Sequence, residues 1–345
     1  MQAKQTVSYD DILLSPQYSN IKSRTDIDIG SALGGREHFS LPIIASPMDT
    51  ISGVAMAHAM YDAGGLCVFH RYNTIKKQAS QVHEAIRGRG AMTPAAAIGV
   101  TGEYLDRATA LYGAGARILC VDVAHGHHVL VKNALEELRK VFGNTVHIMA
   151  GNVATLEGFV DVATWGADSV RVGVGGGSIC STRIQTGHGI PTLESIIATR
   201  VAKHGGRLKN VKVIADGGIK SSGDIVKALA CGADFVMVGS LLAGSDECPG
   251  EIIETRKGKF KAYRGMASKD AQLEWRGKTA SLEGVSTVVP YRGPAATTLA
   301  ELARGIRSGL SYSGARSIRD LQEKAQFVIQ SPAGQAESST HILNR

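Results

Sequence analysis

The sequence predicts an α/β protein built as a (β/α)₈ TIM barrel, and three observations support that prediction. Eight short apolar runs alternate with segments of helical length between residues 41 and 240. The runs are apolar at consecutive positions and rich in β-branched residues, as expected for parallel strands buried on both faces. Several helical segments end in Gly-Ala just before the next run, and helices commonly terminate at glycine. An open, doubly wound sheet is the alternative, but eight strands within one domain's length favour closure into a barrel.

Each element follows from the same pattern. In chain order, the strands are predicted at 42–46, 65–69, 96–100, 118–123, 147–151, 169–174, 211–215 and 235–239. The helices are predicted at 53–63, 75–87, 103–112, 128–142, 156–165, 192–203 and 222–230. The fourth helix is the clearest, because its apolar residues recur at spacings of three and four: Leu130, Ala134, Leu135, Leu138 and Val141.

Three regions lie outside this repeat. Residues 1–40 are mixed and polar, and they predict an irregular N-terminal lead-in. A single barrel domain is predicted over 41–330, with a hairpin of 251–254 and 257–263 and with further helices at 295–329. An active-site flap is predicted at 265–294, after the eighth strand, since a polar loop this long in a compact domain is typical of a lid. Residues 331–345 are polar and predict a mobile tail.

Composition excludes several classes of protein. The five cysteines form no CxxC pair, which argues against a disulfide framework or a zinc site. No apolar run approaches the ~18 residues of a membrane-spanning helix, and residues 1–6 carry no apolar signal-peptide core. A cytoplasmic location without membrane contact is therefore expected. The net charge of +7 is spread along the chain and aromatic residues make up only 5%, so we expect a small anionic ligand rather than nucleic acid.

The most informative stretch is the glycine-rich loop after the sixth predicted strand, residues 173–189. Three consecutive glycines precede Cys180, and Ser181, Thr182 and Arg183 follow it. This order suggests a thiol nucleophile with hydroxyls to handle protons beside it and a cation that can lower the thiol pKa. A buried cysteine on a tight turn is the alternative, and the loop alone does not decide between them. Its position does favour function, since barrel active sites lie at the carboxyl ends of the strands.

Polar residues follow most of the other strands at the same end of the barrel. They include Asp49, His70, Arg71, Asp122, His125 and Asn152. Glycines after the seventh and eighth strands, in Asp216-Gly217-Gly218 and Gly239-Ser240, are typical of a phosphate site, to which Ser178 could add a hydroxyl. Asp216 would accept hydrogen bonds from sugar hydroxyls rather than bind phosphate.

Proton transfer and metal binding are less sharply indicated. Thr182 and Glu283 are candidates for proton transfer, although spacing alone would make Glu283 an exposed loop carboxylate. The histidines at 125, 127 and 128 predict a turn that opens a helix rather than a metal site, and His188 is interpreted as a loop histidine.

Five motifs resemble the IMP dehydrogenase/GMP reductase family over residues 9 to 328. They are Gly175-Gly-Gly-Ser-Ile-Cys180-Ser-Thr-Arg183, Ala45-Ser-Pro-Met-Asp49-Thr, Ala150-Gly-Asn152-Val, Ala215-Asp216-Gly-Gly218 and Tyr263-Arg-Gly-Met266. The resemblance implies a (β/α)₈ barrel that forms a homotetramer and a cysteine that adds to C2 of the purine. It also implies a bound K⁺, held mainly by backbone carbonyls of Gly175, Gly177, Cys180 and Arg183.

Within the family, most features match the reductase branch. The span from Phe69 to Ala96 leaves no room for the regulatory CBS modules of most dehydrogenases, and residues 268–282 lack the Arg-Tyr pair with which dehydrogenases activate water. Asp122-Val-Ala-His and Glu283-Gly284 also resemble reductases. The segments Ser46-Pro-Met48 and Tyr263-Arg-Gly-Met266 are more like dehydrogenases, while Gly176 and Ser181 replace the usual Pro and Thr.

The resemblance then implies a role for each site residue in an NADPH-dependent conversion of GMP to IMP and ammonia, a purine salvage reaction. Cys180, Thr182 and Glu283 would be catalytic. Substrate would contact Ser178, Asp216, Gly217, Gly218, Gly239, Ser240, Gly265, Met266, Ala267, Ser268 and Gly284. NADPH would contact Ser23, Arg24, Arg71, Asp122, Val123, Ala124, Val174, Gly175 and, from a neighbouring subunit, Ser308, Gly309 and Ser311. An NAD-dependent IMP dehydrogenase without CBS modules and a non-catalytic nucleotide-binding barrel are the alternatives.

Overall fold

In the computed structural model, which describes residues 3–34, 37–89, 92–204, 206 and 208–338, the chain begins with short elements that pack on the barrel. These are strands β1 (Ile12–Leu14), β2 (Ser31–Leu33) and β3 (Glu37–Phe39), with 3₁₀ turns at Tyr9–Asp11 and Arg24–Asp26. Strands β2 and β3 form an antiparallel hairpin. The N-terminal segment therefore contains regular structure where an irregular lead-in was predicted, because three-residue strands are too short to give a periodic pattern.

Parallel strands β4 to β11 close into an eight-stranded barrel. Neighbours in the chain are neighbours in the barrel, and β11 returns to pair with β4, with Val236 opposite Ile43. Every strand predicted for the barrel is confirmed, with ends that shift by at most two residues. The strands are β4 (Ile43–Ala45), β5 (Leu66–Phe69), β6 (Ala95–Ile98), β7 (Ile118–Asp122), β8 (His147–Val153), β9 (Ser169–Val172), β10 (Lys212–Asp216) and β11 (Phe235–Val238).

Helices follow the barrel strands and cover their outer faces. Each helix predicted between residues 53 and 230 is present, and a short helix that was not predicted, α6, begins two residues after Cys180. The helices are α1 (Val54–Asp62), α2 (Ile75–Ile86), α3 (Tyr104–Gly113), α4 (Val129–Phe142), α5 (Leu156–Thr164), α6 (Thr182–Thr186), α7 (Thr192–His204), α8 (Ser222–Ala230), α9 (Lys269–Arg276), α10 (Ala295–Tyr312), α11 (Ile318–Lys324) and α12 (Pro332–Glu337).

The hydrophobic core has two parts. A large cluster lies between the strands and the surrounding helices, and a smaller one fills the interior of the barrel. The β2–β3 hairpin contributes Leu33 and Phe39 to the interior cluster, and Phe39 packs edge-to-face on Phe235 at the start of β11, with ring centroids 6.0 Å apart. The hairpin therefore closes the amino-terminal end of the barrel and leaves the opposite end open.

The C-terminal part adds strands that the sequence only partly indicated. Strands β12 (Ile253–Thr255), β13 (Gly258–Arg264) and β14 (Ser286–Pro290) form an antiparallel sheet, so the predicted hairpin is confirmed and extended. Helix α9 and β14 both lie in the segment predicted as a polar flap. Strand β15 (Phe327–Ile329) pairs with β1 and joins the two ends of the described chain.

The predicted mobile tail begins at residue 331, and the described part of it forms helix α12. A capping serine explains this helix, since Ser331 accepts a hydrogen bond from the Gly334 N–H at 3.2 Å. The remainder of that prediction, residues 339–345, lies outside the described residues. Among the residues that are described, no helix has the length and apolar character needed to cross a membrane.

Candidate active site

A cavity of about 450 Å³ opens at the carboxyl ends of the barrel strands. Its floor is made by the ends of β4, β7, β9, β10 and β11, and its walls by the glycine-rich loop after β9. The segment between β13 and β14, residues 265–285, covers it from one side and is called the flap below. The predicted catalytic residues and most of the predicted ligand-binding residues line this one cavity.

Glycines allow the loop after β9 to lie against its neighbours. Gly173 has a φ of +143°, and a Cβ on it would lie 2.0 Å from the carbonyl oxygen of Asp216. Gly175 has a φ of +78°, and a Cβ there would lie 2.6 Å from Cγ of Arg183. A side chain at either position would be strained and would collide with a neighbour. The loop can therefore approach β10 and α6 closely, which brings Cys180 to the edge of the cavity.

The three predicted catalytic side chains are in direct contact. Cys180 Sγ lies 3.2 Å from Thr182 Oγ1, and Thr182 Oγ1 donates to Glu283 Oε2 at 2.7 Å. The flap is joined to the glycine-rich loop after β9 by backbone hydrogen bonds, since Ser181 N–H donates to the Glu283 carbonyl at 2.9 Å and Val285 N–H donates to the Ile179 carbonyl at 3.0 Å. Glu283 is thus a partner of Thr182 rather than the exposed loop carboxylate that spacing alone would predict.

Cys180 differs from the other cysteines in accessibility. All five lie in described parts of the chain, and Cys180 alone is not buried. Burial raises the pKa of the Cys67, Cys120 and Cys231 thiols to about 12 and that of Cys248 to about 11. Those four thiols stay protonated at neutral pH and belong to the core.

A buried arginine that the sequence did not single out organises the floor of the cavity. Arg171 donates to Asp122 Oδ1 at 2.6 Å and to Asp216 Oδ2 at 2.8 Å. Burial alone would lower the pKa of this guanidinium, but the two carboxylates outweigh it and raise that pKa. Asn152 Nδ2 also donates to Asp216 Oδ2, at 2.8 Å. The sequence did carry one sign of this role, since Arg171 is a lone charged residue inside the apolar run 169–174.

Asp216 and the predicted phosphate loops lie together. Gly217, Gly218, Gly239 and Ser240 line the cavity beside Asp216. Ser178 Oγ is 3.3 Å from the hydroxyl of Tyr263. From the flap side, the cavity is lined by Gly265, Met266, Ala267 and Gly284. Ser268 does not reach it, because the side chain is 1% exposed and caps α9 by accepting a hydrogen bond from Ala271 N–H at 3.3 Å.

The predicted cofactor residues fall into two groups. Arg71, Asp122, Val123, Ala124, Val174 and Gly175 line the cavity, and Arg71 Nε lies 3.6 Å from Asp122 Oδ2. Ser23 and Arg24 lie at the second 3₁₀ turn, which packs beside α10. Ser308, Gly309 and Ser311 lie on α10 itself. This second group does not line the cavity of its own chain, and its contribution to a neighbouring subunit stays a prediction.

Aromatic residues at the cavity mouth were not anticipated. Trp275 on α9 packs edge-to-face on Tyr72, with ring centroids 4.9 Å apart. The guanidinium of Arg71 lies 4.8 Å from the centre of the Tyr72 ring. Arg264 adds a second attachment, since it pairs with Asp49 at 2.5 Å and with Glu274 of α9 at 2.6 Å. Helix α9 is therefore fixed to the barrel at two points.

The loop predicted to hold K⁺ offers neutral oxygen ligands. The Gly177 carbonyl accepts a hydrogen bond from Cys180 N–H at 3.1 Å, and the Arg183 carbonyl accepts one from Gly187 N–H at 3.1 Å, so each keeps a second lone pair. Carbonyl oxygens of this kind suit a monovalent cation. No group of three or more His, Cys, Asp or Glu side chains in the described residues could hold a metal ion.

The histidine cluster has structural partners. His128 caps α4, since its Nδ1 accepts a hydrogen bond from Leu130 N–H at 3.1 Å. His127 Nε2 is 2.9 Å from Asp161 Oδ2 on α5. These contacts agree with the predicted turn that opens a helix.

Comparison with known proteins gives consistent matches. Residues 6–341 match the family model described as the IMP dehydrogenase / GMP reductase domain. An inosine-5'-monophosphate dehydrogenase from Nitrosopumilus maritimus is 31% identical, with 99% of each chain covered. A GMP reductase from Leishmania major is 44% identical over 79% of this chain and 57% of its own length. The crystal structure of a cysteine-to-alanine variant of GMP reductase from Trypanosoma brucei, in complex with guanosine 5'-monophosphate, superposes with a TM-score of 0.91 at 28% identity, covering 98% of both chains.

Proposed function

The chain belongs to the IMP dehydrogenase/GMP reductase family, oxidoreductases of purine metabolism, and we propose that it is an NADPH-dependent GMP reductase. One observation carries the choice within the family. The flap side chain that is hydrogen-bonded to the Cys180–Thr182 pair is a carboxylate, Glu283, and residues 268–282 contain no tyrosine. The site has a group that can move a proton to a leaving amine, but it lacks the Arg-Tyr pair expected of an enzyme that must activate water.

The proposed reaction takes GMP, NADPH and two protons to IMP, ammonium and NADP⁺. Cys180 Sγ attacks C2 of the purine as the thiol gives up its proton to the Thr182–Glu283 pair, and the same pair returns a proton to the departing amine as the C2–N bond breaks. This leaves a thioimidate on Cys180. The nicotinamide cofactor supplies the hydride when it is bound. The C2–sulfur bond then breaks, releasing IMP and the free thiol.

Substrate recognition is proposed from the same cavity. Asp216 would accept hydrogen bonds from the ribose hydroxyls, because Arg171 and Asn152 occupy only its Oδ2. The N–H groups of the two glycine loops and the Ser178 hydroxyl would bind the phosphate. The Trypanosoma brucei enzyme named above was crystallised with guanosine 5'-monophosphate, which supports GMP as the ligand.

The proposed cofactor site combines residues of one chain's cavity with residues of a neighbouring subunit, and the proposed cation site lies in the glycine-rich loop. Arg71, Asp122, Val123, Ala124, Val174 and Gly175 would contact NADPH within one chain. Ser23 and Arg24 are proposed to join Ser308, Gly309 and Ser311 of a neighbouring subunit in a homotetramer. The loop carbonyls of Gly175, Gly177, Cys180 and Arg183 would hold K⁺, which would offset their partial negative charge and stiffen the nucleophile loop.

A paired assay tests the proposal. The purified protein is expected to oxidise NADPH with GMP, in K⁺ buffer, and to release IMP. Cys180→Ala should lower kcat by more than about 1,000-fold, because the covalent route is lost. Gln185→Ala, on the exposed face of α6, is the matched control and should retain activity.

Two other outcomes would replace the proposal. Reduction of NAD⁺ with IMP, giving XMP, would identify a dehydrogenase, which the full-length match to the Nitrosopumilus maritimus protein and the Ser46-Pro47-Met48 segment favour. Calorimetry that detects GMP or IMP binding without turnover in either assay would identify a non-catalytic nucleotide-binding barrel.

A further inference from the structure

We infer that Gln272 is a positioning residue that holds the Glu283 segment of the flap against Thr182; the inference rests on the proposed function. Gln272 lies on α9 and is 5% exposed. Its Nε2 donates to the Ala267 carbonyl at 3.0 Å and to the Ser281 carbonyl at 2.8 Å. Its Oε1 accepts a hydrogen bond from Ala280 N–H at 2.7 Å. One side chain thus joins the chain before α9 to the chain after it.

The chemistry of these partners requires an amide. Two carbonyl acceptors face one end of the side chain and an N–H donor faces the other, which fixes the orientation of the amide group. A carboxylate in the same place would turn an oxygen toward both carbonyls, and an aliphatic side chain would leave three backbone groups without partners. Gln272 is therefore matched to its surroundings by hydrogen bonding and not only by shape.

The segment that Gln272 holds leads directly to the catalytic residues. Ser281 Oγ donates to Glu283 Oε1 at 3.0 Å, while Glu283 Oε2 accepts from Thr182, which contacts Cys180. Gln272 therefore holds the backbone of Ser281, whose side-chain hydroxyl begins a series of hydrogen bonds through Glu283 and Thr182 to the thiol. Gln272 also lines the cavity, but its amide hydrogen-bonds to backbone groups of the flap and not to Cys180, Thr182 or Glu283. We therefore expect its effect to pass through the position of Glu283.

Gln272 constrains the segment 278–282 and not helix α9 as a whole. Residues 278–282 are exposed, and in the described part of the chain their backbone hydrogen bonds are those made to Gln272. Helix α9 has its own attachments to the barrel through Glu274 and Trp275. Loss of Gln272 should therefore release the 278–282 segment while α9 stays docked.

Steady-state kinetics test the effect on turnover. Gln272→Glu and Gln272→Leu are expected to lower kcat by about 10- to 100-fold and to leave KM for GMP within about twofold, because a displaced proton donor slows chemistry more than binding. Leu273→Gln is the matched control, since Leu273 is the next residue of α9 and is 43% exposed. It should behave like the unaltered enzyme. An unchanged kcat in both Gln272 variants overturns the inference.

A double-mutant cycle separates positioning from general destabilisation. If Gln272 acts through Glu283, then Gln272→Leu should cost little further activity in a Glu283→Gln background. If the two losses multiply, the inference is wrong, since a merely structural defect would lower activity whichever residue stands at 283.

Hydrogen–deuterium exchange tests the geometry without any activity. In Gln272→Leu, the hydrogen-bonded amides of Ala280 and Val285 should exchange about tenfold faster or more, while amides within α9 keep their rate. If the Gln272→Leu substitution leaves exchange in the flap unchanged, or speeds it equally in the flap and in α9, the inference is wrong. If the unaltered protein fails to oxidise NADPH with GMP, the proposed function fails, and the exchange result still decides whether Gln272 holds this segment.

Discussion

At residue 176 the glycine-rich loop after β9 carries glycine because a side chain there would collide with its surroundings. A Cβ at this position would lie 2.6 Å from Oγ1 of Thr192, the first residue of α7. Thr192 is 4% exposed, and its hydroxyl has no hydrogen-bond partner among the described residues. Gly176 stands where the family resemblance leads one to expect proline, and the Thr192 hydroxyl occupies the volume that a proline ring would need. The loop and α7 are therefore matched to each other.

Gly176→Ala should destabilise the protein by roughly 1–3 kcal/mol, the usual cost of overfilling a packed site. Thr192→Ala in the same chain should restore most of that loss, because the hydroxyl it removes makes no hydrogen bond. Urea unfolding of the two single variants and the double variant measures the coupling. Gly113→Ala is the control, since a Cβ there meets nothing within 4 Å. Additive losses at 176 and 192 would contradict the proposed packing.

At the scale of elements, Lys261 of β13 attaches the C-terminal sheet to the barrel. The side chain is 2% exposed, and its ammonium donates to the carbonyls of Ser245, Asp246 and Cys248 at 3.1, 3.2 and 2.5 Å. These three carbonyls belong to the connection after β11, just beyond the predicted phosphate loop Gly239-Ser240. The position of β13, and of the flap that follows it, depends on this buried lysine.

Some elements could be predicted from the sequence and others could not, depending on whether their burial gives a regular pattern. The barrel strands were predictable because each is apolar at consecutive positions, and the loop carrying Cys180 was predictable because glycines follow one of them. β14 was missed because four of its five residues are exposed and give no burial pattern. Lys261 and Gln272 were missed because a buried polar residue satisfied by backbone groups looks, in sequence, like an ordinary surface residue. Their partners are set by tertiary contacts alone.

Lys261→Met should lower the free energy of unfolding by roughly 2–4 kcal/mol, because it leaves three backbone carbonyls without their charged donor in a buried site. Lys259→Met is a matched control two residues earlier on the same strand. Lys259 pairs with Glu254 on the surface, where its side chain is 57% exposed, so its loss should leave the free energy of unfolding nearly unchanged. Urea unfolding monitored by circular dichroism measures both. Equal stability of the two variants would show that the carbonyl contacts do not hold the sheet.

At the scale of the whole molecule, the barrel has a closed amino-terminal end, where His147 is buried, and an open end with the candidate site. His147 begins β8 beneath the turn at Gly34, where a Cβ would lie 2.5 Å from its Nδ1. Its Nε2 is 2.8 Å from Ser169 Oγ of β9. Burial lowers the pKa of His147 from 6.5 to about 4; Asp168 opposes the shift, while Arg139 and Lys212 add to it. The folded barrel therefore holds this imidazole neutral.

Because the pKa of His147 is lower in the folded barrel than in the unfolded chain, acid should destabilise the protein. Between pH 6.5 and 4 the unfolded chain binds a proton at His147 that the folded barrel does not, so stability is complete above pH 6.5 and falls as the pH drops. His147 alone should make the free energy of unfolding about 2 kcal/mol lower at pH 5.0 than at pH 7.5. His147→Gln, whose amide can still reach Ser169, should lose correspondingly less over that interval. Urea unfolding at both pH values measures the difference, with the exposed His83→Gln as control. An equally steep loss in His147→Gln would assign the acid sensitivity to other groups.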